Sequence, residues 1–168
     1  MVKISTKVGN LDSKEQSVQN IKKMKRSMCE DSDFAEFDFS EYPYVKMRMI
    51  SSSPTQEQFD FFVEQFIKLF CEDKFYIIFD CSQITGLPLK YLHQIAKLIG
   101  QLKTLSEKHL IGTGVIITRK SVRMCINMIF NIKSPQRPTK CFETESDAIQ
   151  WLSDLTITSK ASDYTDDI

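Results

Sequence analysis

The chain has 168 residues, 42% of them hydrophobic, with 22 Lys and Arg against 22 Asp and Glu. That is the size and make-up of one globular domain with room for tails. A formal net charge of zero excludes a global field that steers the chain to nucleic acid, so neither DNA nor RNA is indicated, and no run reaches the roughly 18 apolar residues of a membrane span.

The opening MVKISTKVGN lacks the apolar segment of a secretory signal. Cys29, Cys71, Cys81, Cys125 and Cys141 are odd in number and scattered, with no C-x-x-C. Both features fit a cytoplasmic chain whose thiols are buried or idle, with no disulfide frame, metal site or cofactor expected. Residues 1–32 are polar and Lys-rich and read as a flexible basic arm, in which Ile21, Met24 and Met28 have helical spacing.

Regular patterning begins at residue 33. FAEFDFSEYPYVKMRMIS alternates on both sides of EYP, which predicts a β-hairpin. SSSPTQEQ predicts a helix start, with Ser53 as the N-cap, Pro54 at the first position and Gln56 completing a capping box. Phe59, Phe62, Val63, Phe66 and Phe70 then form one apolar face. Tyr76, Ile77, Ile78 and Phe79 are apolar on both sides of the pleat, as in a central parallel strand. Leu89 to Leu105 carry one unbroken helical stripe.

IGTGVIITRK predicts a further strand, with Gly112 and Gly114 ahead of Val115. SVRMCINMIFNIK predicts a helix, TKCFET a short strand, and a last helix opens at Thr144 with Asp147 in the acidic capping place. From residue 156 the chain reads as an acidic disordered tail with Asp163, Asp166 and Asp167. The order β-β-α-β-α-β-α-β-α predicts an α/β fold: a mixed, mainly parallel sheet with an N-terminal hairpin and about four helices. Phe62, Phe66, Ile78 and Trp151 are expected in one common apolar layer.

No Walker loop, G-x-G-x-x-G, G-x-S-x-G or H-E-x-x-H occurs. His93 and His109 read as surface histidines; a Ser82–His93–Asp80 triad has nothing to place it in hydrogen-bond order. No catalytic residue is identified. One constellation remains, because ligands of open α/β sheets favour the carboxyl ends of the parallel strands. One strand end delivers Asp80, Ser82 and Thr85; the next delivers Arg119, Lys120 and Ser121, with Arg123 in the first turn that follows. Free N–H groups and cations at a helix start favour an anion. The competing reading makes them ordinary loop residues, with Ser121 a helix cap.

The hairpin, the helix after SSSPTQEQ, FYIIFDCSQITGL, GVIITRK and the closing CFETESDAIQWLSDL together resemble the STAS domain of anti-sigma-factor antagonists and their SpoIIAA-like relatives, over residues 33–155. The more specific pieces are Glu145, Ala148, Trp151 and Leu152 in the ending, and Asp80 with Ser82 after the strand. The resemblance implies a non-catalytic regulatory module that binds a protein, with an anionic lipid headgroup as the second ligand class. It makes Thr85, before Gly86-Leu87, a candidate phosphosite. Gln83 and Ile84 replace the Asp and second Ser of the antagonist branch, which brings the chain nearer the SpoIIAA-like branch, where no phosphosite is expected. Two alternatives stand beside it: an assembly protein, of a large virus for example, docking through its basic arm, and a hydrolase using the same rim.

Overall fold

The structure is a computed structural model describing residues 15–20, 23–24, 29–70 and 73–162, with backbone alone for 157–162. Ile21, Met28, Cys71, Asp163, Asp166 and Asp167 lie outside the described residues. A short exposed helix, α1, spans residues 15–20. The packed unit begins at Cys29, whose thiol donates to the Gln65 carbonyl; the Glu30 N–H donates to the Gln65 side chain.

Alternation produces the expected hairpin. β1 (Ala35–Asp38) and β2 (Tyr44–Met49) pair antiparallel, with Val45, Met47 and Met49 buried and the residues between them half-buried. β2, β3 (Phe75–Asp80), β4 (Leu110–Ile116) and β5 (Thr139–Phe142) are all parallel, in the order β1-β2-β3-β4-β5. The connections are helical: α2 (Gln56–Ile67), α3 (Leu89–Gln101) with α4 (Lys103–His109), and α5 (Lys120–Ile132). α6 (Glu145–Ser162) closes the chain. This is the mixed, mainly parallel α/β architecture that the element order predicts, with six helices among the described residues where about four are expected.

Local differences have physical causes. α2 is capped by Thr55 and Gln58, two residues beyond the expected Ser53 and Gln56. Pro54 stays outside the helix, its carbonyl taken by the hydroxyl of buried Tyr91 at 2.7 Å. The Leu89–Leu105 stripe breaks at Leu102, where ψ is 9°, so two helices replace one. The second of them turns His109 inward; it is 5% exposed, not a surface residue, and its Nδ1 has no partner among the described residues. Gly112 and Gly114 lie inside β4, not before it. A Cβ on Gly114 would stand 3.0 Å from that of Ala148, so the glycines let α6 lie close on the sheet. α6 starts as expected, with the Asp147 N–H donating to the Thr144 hydroxyl, and runs past residue 155 to Ser162.

The sheet has two separate apolar faces. Val45, Met47, Ile77, Val115 and Ile117 pack with Phe59, Phe62 and Phe66 of α2 and with α3 to α5. Tyr76, Ile78 and Ile116 face Leu152 and Trp151 of α6. Phe66 and Ile78 are therefore on opposite sides, because alternate residues of a strand point to opposite faces, and the single common layer is corrected to two. Between the first face and its helices lies an apolar cavity of about 170 Å³.

Candidate functional site at the carboxyl rim of the sheet

Four parallel strands end along one edge. β2 continues into Ser51 and Ser52, β3 into Cys81–Thr85, β4 into Thr118–Ser121 and β5 into Thr144. Ile84, 2% exposed, inserts into the core and pulls the β3–α3 connection down onto the sheet. Gly86, with φ at +156°, then makes a bend that L side chains rarely adopt. The result leaves Thr85 exposed.

Hydroxyls tie these strand ends together. The Thr85 N–H and Oγ1 both reach Ser52 Oγ, at 2.8 and 3.2 Å. Ser121 Oγ donates to the Thr85 carbonyl at 2.5 Å, and Thr118 Oγ1 lies 3.5 Å from the Ser82 carbonyl. Ser121 is therefore a strap between α5 and the β3 loop, and Arg119, not Ser121, occupies the N-cap of α5. Thr85 lies four positions ahead of Leu89, where α3 begins, and is bonded to the first turn of α5 instead.

Asp80 belongs to the turn. Its Oδ1 accepts the Ser82 N–H at 3.0 Å, and Oδ2 faces Arg48 Nε at 3.8 Å. That pairing places it on the α6 side of the sheet, in a charged row with Glu36, Arg48, Lys46 and Glu145. His93 Nδ1 lies 3.0 Å from the Leu89 carbonyl, one turn back on its own helix. Asp80 thus holds the Ser82 backbone N–H, not its hydroxyl, while the His93 ring turns to its own helix. Burial, with the Asp80 charge second, pushes the Cys81 thiol up to about 12, so it stays protonated at neutral pH. Among the described residues no three of His, Cys, Asp or Glu converge as metal ligands would.

The cations gather on one side. Arg119, Lys120 and Arg123 are exposed, and among the described residues none of them makes an ion pair. α5 continues with Met124 and Met128, 66% and 40% exposed, on its outer face. Sequence reasoning missed this apolar continuation, and it missed Ser52. A usable signal was present: from Lys108 to Phe142 the chain carries seven Lys and Arg and no Asp or Glu, although its net charge is zero. No described helix is long and apolar enough to cross a membrane.

No curated protein matches the chain. Among solved structures, it is similar to the crystal structure of an uncharacterized protein from the DUF3478 family with a SpoIIAA-like fold, from Shewanella loihica PV-4. The likeness has a TM-score of 0.47 and 15% sequence identity and covers 70% of this chain and 91% of that one. A family model matches residues 54–156, from the residue before the α2 cap to the middle of α6, and so the chain belongs to the family described as domain of unknown function (DUF7793).

Proposed function

We propose that the domain is a non-catalytic binding module that takes an acidic segment of a partner protein at the carboxyl rim. The observation that carries this reading is the exposed group Arg119, Lys120 and Arg123, without an ion pair among the described residues, beside the hydroxyl strap of Ser52, Thr85 and Ser121. Cations without carboxylate partners are available to a ligand, and guanidinium groups favour carboxylates. Met124 and Met128 extend the surface with soft apolar contacts, the kind that adapt to a partner helix. Thr85 is the control point in this reading. A phosphate there adds about −1.5 to −2 charges next to the cations, which would then be occupied internally.

The test is affinity capture on the intact chain, comparing the parent with the triple variant Arg119→Glu/Lys120→Glu/Arg123→Glu and with Thr85→Glu. The parent is expected to retain a partner that is released as salt rises, since exposed charge pairs are screened. Both variants should retain it at least ten-fold less, and Thr85→Ala should retain it like the parent. Equal retention by the parent and the triple variant would reject the rim. Retention lost on deleting residues 1–32, with the rim variants unaffected, would favour docking through the arm.

A further inference from the structure

The apolar cavity runs from beneath the β3–α3 connection, where Cys81, Ile84 and Gly86 line it, toward the opposite end of the sheet, and its chemistry is polarised. Most of its lining is apolar, from α2, α3, α5 and the inner face of the sheet. The exceptions include Ser106, Gln136, Arg137 and Thr139, all half-buried, which come from α4 and from the connection into β5. These stand at the amino end of the parallel strands, where Pro138 accepts the Thr113 N–H, and not at the carboxyl rim. The cavity therefore has an apolar body and one end lined by polar groups.

Arg137 is the unusual member of that end. Its Nε is buried with no hydrogen-bond partner among the described residues. Its Nη2 makes one long contact, 3.5 Å to the Ile111 carbonyl. Among the described residues no carboxylate pairs with it. A guanidinium always carries its charge and presents five donors in a planar fork. Holding its Nε buried without an acceptor is costly unless a ligand oxygen completes it. Small-molecule sites commonly have this form, an apolar lining with a few polar groups that fix one end of the ligand.

From the juxtaposition of the apolar cavity and the unsatisfied Arg137 fork we infer that this domain binds a small anionic amphiphile, an acyl carboxylate, with its chain in the cavity and its carboxylate on Arg137. An apolar cavity of about 150 Å³ holds one benzene. A volume of about 170 Å³ therefore suits a chain of roughly six to eight carbons. The carboxylate would accept from two guanidinium nitrogens at once, and Ser106 and Gln136 offer further polar contacts. The carboxylate end of this site lies at the opposite end of the strands from the cations of the rim, and neither proposal depends on the other.

The test titrates the full chain with sodium octanoate, with 1-octanol and with benzene, followed by calorimetry and by amide shifts in NMR. Octanoate should bind at least ten-fold more tightly than octanol, with shifts at Leu98, Leu110 and Thr113. Arg137→Gln should remove that ten-fold preference and keep the octanol affinity. Ile126→Phe, which places a ring in the cavity, should abolish binding of both. Equal binding of octanoate and octanol, binding of benzene alone, or no binding would overturn the proposal. So would octanoate affinity unchanged by Arg137→Gln, or shifts confined to Arg119–Arg123. Should Arg137→Gln fail to fold, Arg137→Lys keeps the charge but loses the fork, and its preference should be intermediate.

Discussion

Ile84 and Gly114 show how single residues position the rim. Ile84 seats the loop that exposes Thr85, and Gly114 sets how closely α6 approaches the sheet. A methyl on Gly114 would meet Ala148 Cβ, which cannot rotate away because it is tied to the helix backbone. Gly114→Ala should therefore destabilise the fold by about 1–3 kcal/mol, the usual cost of overpacking. Gly112→Ala should cost less, since the atom it meets first is the mobile end of Leu155. Chemical denaturation of the two variants checks both the sign and the order. At this scale the sequence was partly legible. Thr85, Arg119, Lys120 and Arg123 could be read as rim residues from the strand ends that precede them. Ser52 could not, because its role depends on β2 lying beside β3, a pairing of segments about 30 residues apart.

Elements were more legible than the contacts between them. Periodicity placed the hairpin, the central strand and the helices, since each buries a face with its own repeat. It did not show which side of the sheet each helix covers, so Phe66 and Ile78 were assigned to one layer. Their placement on opposite faces has a measurable consequence. Phe66→Ala should cost about 3–5 kcal/mol and Ile78→Val about 0.5–1.5 kcal/mol. The double variant should equal their sum within about 0.5 kcal/mol, because the two side chains share no packing partner. A larger coupling would return them to a common layer. The break at Leu102 was hidden for a related reason: the apolar stripe continues through it, and only packing of α4 onto β4 turns His109 inward.

Burial at the end of β3 also sets a pH dependence. The folded-state Cys81 thiol titrates near 12, against an ordinary value of 9.0, chiefly because burial disfavours the thiolate. Above pH 9 the unfolded chain releases this proton first and binds fewer protons than the folded one. Stability is thus fully present below about pH 9 and falls as pH rises toward about 12. Tyr44 and Tyr76, also raised by burial, act in the same direction from about pH 10. By pH 10.5 the Cys81 contribution amounts to a loss of roughly 2 kcal/mol relative to neutral pH. Cys81→Ala should start less stable at pH 7 and show a flatter decline. Parallel slopes for the parent and the variant would contradict the burial of this thiol.

The whole molecule is electrically neutral but divided. Cations without acids run from Lys108 to Phe142, and the balancing acids lie elsewhere in the chain. Steering by such a molecule is local, through the face that carries the start of α5, not through net charge. The central claim is that this face receives carboxylates from another protein, and zero-length cross-linking tests it most directly. A carbodiimide joins an amine to a carboxylate only when the two are in ion-pair contact. Applied to the intact chain together with the partner retained by affinity capture, it should couple Lys120 to an Asp or Glu of that second protein. The yield should fall with rising salt and with Thr85→Glu. Cross-links confined to lysines of residues 1–32, with Lys120 unmodified in the complex, would contradict the account.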